Sequence, residues 1–186
     1  MEARPSGKRT CLYNATQLDA VLDNMALQLA GLLGGERRIM VVGILRRGAP
    51  LAAMLQQRLA NHLKVANIPL MHLQIKRYAD DLTLLHPETK LTENHEHEGM
   101  DLSGVTVVVV DDVMYRGHSM LRAVEYLTAK HADEIRTVVL VDRGVTKLPV
   151  RSDIVGVKLN VAPTDIVECN IPPSEAEFKI ELLQPS

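Results

Sequence analysis

The stretch Val105-Thr-Val-Val-Val-Val-Asp-Asp-Val-Met-Tyr-Arg-Gly-His-Ser119 decides the reading of this chain. Its apolar run is short and β-branched, the pattern of a strand buried on both faces. Asp111 and Asp112 follow where that run, Val105 to Val110, ends. In open parallel sheets, ligands bind at the carboxyl ends of the strands. Gly117 and Ser119 lead into an apolar helix from Met120 to Ala129. A helix N-terminus behind a glycine offers free backbone N–H groups to a phosphate. An acid pair at a strand end, taken alone, is more often a turn and capping device. The joint pattern of buried strand, two carboxylates, glycine, hydroxyl and helix suits a ligand that carries sugar hydroxyls and a phosphate.

Working outward, Asn14 is placed to cap a helix whose apolar stripe is Leu18, Val21, Leu22, Met25, Leu29 and Leu32, with Gly34-Gly35 as its stop. Ile39 to Ile44 reads as a strand, Leu45-Arg-Arg-Gly48 as a loop, and Pro50 suits the first turn of a helix through Leu59. Leu70 to Ile75 and Ile135 to Val141 complete a set of four strands. Strands alternating with helices predict an α/β fold, a mainly parallel, doubly wound sheet with flanking helices. Arg46 and Arg47 follow a buried strand beside Gly48, which favours anion binding over two exposed turn charges. Arg143 follows the fourth strand; it either contacts a ligand or pairs with Asp142 or Asp153, and the structural role is favoured.

Two regions break the alternation. Residues 76–103 are polar and lack an apolar period, and the segment exceeds the ~12–15 residues usual for an unstructured connection, which favours a functional lid or a disordered segment. Strand-like pairing at Thr83-Leu84-Leu85 is expected within it. It also carries His95 and His97, which with no third ligand nearby read as a solvated loop rather than a metal site. The C-terminal part, about 145–186, holds Pro149, Pro163, Pro172 and Pro173. It is expected to form irregular strands in a small hood over the sheet edge.

Bulk properties narrow the class. At 186 residues the chain is long enough for one domain with a proper core. A net charge of −2 gives no basic field for nucleic acid, and one Phe with no Trp leaves few platforms for base stacking. Cys11 and Cys169 have no metal-ligand spacing and read as free thiols of a reducing compartment. The polar N-terminal residues do not resemble a leader, and no apolar run approaches the ~20 residues of a membrane span. A cytoplasmic protein without membrane contact is expected.

The acid-pair segment resembles the phosphoribosyl-pyrophosphate (PRPP) motif of type I phosphoribosyltransferases. Val42-Gly-Ile-Leu-Arg-Arg-Gly-Ala-Pro-Leu-Ala52 is similar to the pyrophosphate loop of that family. Tyr78-Ala-Asp-Asp-Leu-Thr83 and Leu140-Val-Asp-Arg-Gly144, with Leu148-Pro-Val-Arg-Ser-Asp-Ile-Val-Gly156, are similar to one branch, the bifunctional pyrimidine operon regulator/uracil phosphoribosyltransferases. The resemblance runs from about Tyr13 to Cys169. It implies a single domain over 1–186 that transfers phosphoribose from PRPP to a nucleobase, uracil first, in pyrimidine salvage. The alternatives are a non-catalytic or weakly catalytic nucleotide- or PRPP-sensing regulator of pyrimidine genes, with or without RNA binding, and a hypoxanthine/guanine phosphoribosyltransferase.

The resemblance also assigns roles. Asp111 and Asp112 would bind the ribose hydroxyls and stabilise charge at the sugar. Tyr115, Arg116, Gly117, His118 and Ser119 would hold the 5-phosphate, and Arg46, Arg47 and Gly48 the pyrophosphate. Arg143, Ile154 and Val155 become candidate contacts to base or pyrophosphate. Mg²⁺ would arrive with PRPP near the two acids, held by substrate and water rather than by a protein cage. The segment 76–103 takes the place of the flexible loop that closes over PRPP. Tyr115 stands where some purine-specific relatives carry an acid, which favours a pyrimidine. The phosphate loop reads Arg116-Gly-His-Ser119 where the branch usually has Thr-Gly-x-Thr. Homodimers or homotetramers are usual in the family, and RNA, for which the Lys and Arg residues are too scattered, is disfavoured as a partner.

Overall fold

The structure is a computed structural model that describes residues 6–34, 38–76, 90–92 and 99–185. Its elements in chain order are β1 (Gly7–Tyr13), α1 (Ala15–Leu33), β2 (Arg38–Ile44), α2 (Gly48–Leu63), β3 (Leu70–Lys76), β4 (Lys90–Thr92), β5 (Val105–Met114), α3 (His118–Ala129), β6 (Glu134–Asp142), β7 (Ile154–Lys158), β8 (Ile166–Asn170) and β9 (Lys179–Pro185). Six strands form the main sheet in the order β4-β3-β2-β5-β6-β7. All of its pairings are parallel except the antiparallel β3–β4 edge. β1, β9 and β8 form a separate antiparallel sheet.

The period of two along the central strands builds two cores. Val41, Val108, Val110, Val138 and Leu140 face α1 and α2, while Val42, Ile44, Val107, Val109 and Val139 face α3. Both sets are almost wholly buried, which is why these strands read as continuous apolar runs. α1 starts at a capping box: Gln17 N–H donates to Asn14 Oδ1 at 3.0 Å, and Asn14 N–H donates to Gln17 Oε1 at 3.0 Å. Its stripe runs Leu18, Leu22, Met25, Leu29 and Leu33; Leu32, expected inside, is 46% exposed.

The sheet order fixes where a site can form. From β2 the chain crosses through α2 to β3 on one side, and from β5 through α3 to β6 on the other. The boundary between β2 and β5 is therefore the switch point, where a crevice opens at the strand ends. Three expectations about elements change. β5 runs to Met114 because Asp111 pairs with Val139 and Val113 with Val141, so the acids sit in the last part of the strand rather than beyond it. α3 begins at His118, two residues early. Ile154–Lys158, expected in the C-terminal hood, joins the main sheet beside β6. Thr83 to Leu85, His95, His97 and most of 76–103 lie outside the described residues.

Gly43 holds β2 against α2, since a Cβ there would sit 2.6 Å from Ala49 Cα and 2.8 Å from the Gly48 carbonyl oxygen. Both neighbours are backbone and cannot step aside. Gly43→Ala is expected to cost about 1–3 kcal/mol, the usual range for overpacking, read as a lower urea midpoint with an unchanged m-value.

Candidate active site

Two helix N-termini meet the strand ends at the switch point. α2 starts at Gly48 with no side-chain cap, and α3 starts behind Gly117, also without one. Helix starts leave their first N–H groups without intrahelical partners, the feature that makes such ends suited to anions. Gly117 has φ 85°, a left-handed conformation that favours glycine, and it turns the chain from β5 into α3. Gly48 matters for closeness. A Cβ on it would lie 2.7 Å from the Val110 carbonyl oxygen, 3.2 Å from Asp111 Cα and 3.3 Å from Asp111 Oδ1. The expected pyrophosphate loop and the acid pair are thus in backbone contact.

The acids are half-buried, and the Asp112 N–H donates to Asp111 Oδ1 at 2.9 Å. Burial pushes the Asp111 carboxyl well above the ordinary carboxylate range, and the Asp112 charge adds to it. Burial also raises Asp112, while the Arg47 guanidinium pulls the other way. Arg47 donates from Nε and Nη2 to Glu175 Oε1 at 3.2 and 3.1 Å. Burial opposes its charge, but Asp112 and Glu175 outweigh burial and keep it protonated. The Cys169 thiol is fully buried in reach of the same charges, and burial with Asp112 pushes it well up. Among the described residues no group of three or more His, Cys, Asp or Glu is arranged to hold a metal. The donor set of two adjacent carboxylates fits an ion that brings most of its oxygens with it, as Mg²⁺ on a diphosphate does.

Tyr115 and Arg143 close the other side. Arg143 is 3% exposed, and its guanidinium carbon lies 4.7 Å from the Tyr115 ring centre. Arg116 covers the same ring at 5.2 Å. Arg143 Nη2 donates to the Asp165 carbonyl at 2.8 Å and to the Ala162 carbonyl at 3.4 Å. Burial pulls this guanidinium below its ordinary value, against the pull of Tyr115 and Asp165. Its Nε is buried with no hydrogen-bond partner among the described residues. A cavity of about 330 Å³ opens there, lined by Tyr115, Arg116, Arg143, Val145, Lys147 and Pro163.

The structure brings Arg47, Gly48, Asp111 and Asp112 together and sets Tyr115 to Ser119 directly after them. Arg46 is exposed at the mouth of the loop. The favoured partners of Arg143 change: Asp153 bonds Arg136 and the Thr137 backbone, and Asp142 caps the Gly144 N–H. Ile154 is corrected as well. It is 1% exposed and packs in the core under α1, so its side chain has no open face for a base. Val155 packs toward the opposite core. The sequence points neither to Glu175 nor to the place of the Cys169 thiol beside the acids. Glu175 lies 128 residues from Arg47 in a proline-rich stretch, with no local pattern that points to the pairing.

Residues 11–177 match the model of the phosphoribosyl transferase domain family. The chain belongs to that family. It is 35% identical over 158 residues to Bifunctional protein PyrR of Actinobacillus pleuropneumoniae, across 84% of this chain and 87% of that protein. To Bifunctional protein PyrR of Haemophilus ducreyi it is 39% identical over 131 residues, across 70% and 72%. Within the type I phosphoribosyltransferases it therefore falls in the branch of these bifunctional proteins. Its fold superposes on the hypoxanthine phosphoribosyltransferase of Trypanosoma cruzi with a TM-score of 0.71 at 15% identity, over 99% of this chain and 94% of that one. A purine phosphoribosyltransferase of Pyrococcus horikoshii gives 0.61 at 23% identity, over 80% and 85%. At these identities the two structures speak to the fold.

Asp111 carries a testable consequence. Its raised folded value means that its stabilising share is complete below the ordinary carboxylate value and is lost as pH rises through the raised one. Asp111→Asn removes the charge and keeps the acceptor. Its melting temperature at pH 8 is expected to rise by on the order of 2–4 °C, the shift roughly 1 kcal/mol gives in a domain of this size. The gain should shrink toward pH 4, and calorimetric melts at both pH values check it.

Proposed function

We propose that the protein transfers the phosphoribosyl group of PRPP to a nucleobase, releasing pyrophosphate and forming a nucleoside monophosphate, with uracil as the acceptor. The observation that carries this reading is the backbone contact at Gly48. It sets an anion-binding helix start against the two acids, so the ribose and the pyrophosphate of one PRPP molecule would be gripped from adjoining elements. Asp111 and Asp112 would accept hydrogen bonds from the ribose hydroxyls, and their charge would favour the positive character that develops at C1 as pyrophosphate departs. N–H groups of residues 117–120 would hold the 5-phosphate. Arg47 would take the pyrophosphate. Mg²⁺, bound by PRPP and either acid, would neutralise diphosphate charge.

The acceptor would sit in the cavity beside Tyr115. Among the described residues its wall carries guanidinium donors and no acid side chain, which suits the carbonyl oxygens of uracil. Tyr115 in place of an acid supports a pyrimidine over hypoxanthine or guanine. A regulatory role draws its support from the relatives, which are named Bifunctional protein PyrR.

Two measurements test this reading. Asp111→Asn combined with Asp112→Asn should abolish PRPP binding in titration calorimetry; unchanged affinity sinks the site. Labelled PRPP with a panel of bases should yield product with uracil. Turnover of hypoxanthine or guanine without uracil replaces the acceptor assignment.

A further inference from the structure

Glu175 is held more firmly than the arginine it binds. Its Oε2 accepts the Ile171 N–H at 3.0 Å, and its own N–H donates to the Ile171 carbonyl at 3.2 Å. The intervening Pro172 and Pro173 have φ fixed by their rings. The Glu175 side chain is 15% exposed, against 33% for Arg47. Both bonds from Arg47 go to the one remaining oxygen, Oε1, through the Nε and Nη2 edge. The acid is the post, the guanidinium the arm, and Nη1 is left over for a ligand.

A second pull acts on the same arm. The charged and titratable groups in reach of Arg47 are Asp112 on β5, Glu175 in the 171–175 turn and the buried Cys169 thiol on β8; Asp112 attracts it through space, while Glu175 adds hydrogen bonds to its charge. Without Glu175, Asp112 is the carboxylate left in reach of Arg47, and an ion pair between them would engage both the acid read as a ribose ligand and the cation read as a pyrophosphate ligand.

We propose that Glu175 is a positioning residue: by clamping one edge of Arg47 against the 171–175 turn, it keeps the arm off Asp112 and leaves both groups open to the two halves of PRPP. This rests on the reading of Arg47 as a pyrophosphate ligand.

The test is titration calorimetry of the full chain with PRPP and with inorganic pyrophosphate, both with Mg²⁺. Glu175→Ala should weaken both about tenfold, the scale of one charge-assisted hydrogen bond. Glu175→Gln keeps the length of the side chain and should lose less, which guards against an alanine variant that fails to fold. In an Arg47→Ala background, Glu175→Ala should add nothing, whereas a purely structural turn residue would lose the same factor in both backgrounds. Tighter pyrophosphate binding in Glu175→Ala makes Glu175 a competitor and overturns the inference. A loss in Arg47→Ala with none in either Glu175 variant defeats this inference alone. Unchanged pyrophosphate affinity in Arg47→Ala defeats the reading of Arg47, and the inference with it.

Discussion

At Gly48 the first turn of α2 meets the end of β5 backbone to backbone, with room for no side chain between them. The contact is possible because β2 and β5 are neighbours in register, with Gly43 beside Val110. Gly43 then lets α2 lie close on its own strand. Two glycines thus set the distance from a helix N-terminus to a pair of carboxylates. The charges of the site take their positions from that spacing, as a preorganised anion site requires.

This arrangement works against the stability of the free protein. Two neighbouring acids are half-buried, and one arginine is shared between Asp112 and Glu175. Burial is unfavourable for the charged form of each acid, and their proximity adds repulsion. A ligand that brings hydroxyl donors and a bound cation would relieve the acids, and an anionic group would engage the arginine. The strain is therefore local, and the valine-rich strands around it absorb it: Val107 to Val110 and Val138 to Val141 are fully buried.

The parts legible in the sequence were those with strong local patterns. The valine runs gave the central strands, and Asn14 with its apolar stripe gave α1. The acids, Gly48 and Gly117 were legible because their chemistry sits next to a strand end. What escaped was made by distance. β1 is polar and largely exposed, and it is a strand only because β9 pairs with it. β7 has five residues with a glycine in the middle, too short for its period to declare a layer. Arg143 turned out to bind carbonyls across 19 and 22 residues, which no charge pattern announces. Ile154 looked like a substituted contact residue and is core, because β7 belongs to the main sheet.

The small sheet joins the beginning of the described chain to its end: Gly7 pairs with Pro185. On a ribosome, β2, β5 and β6 and their helices can assemble while β9 is still unmade, since their contacts span shorter stretches of chain. β1 must wait, and so must the 171–175 turn that holds Arg47. A nascent chain would thus own its carboxylates before it owned the post for its cation. The acids thus come from one local strand, and their counter-charge from a contact that spans 128 residues of chain.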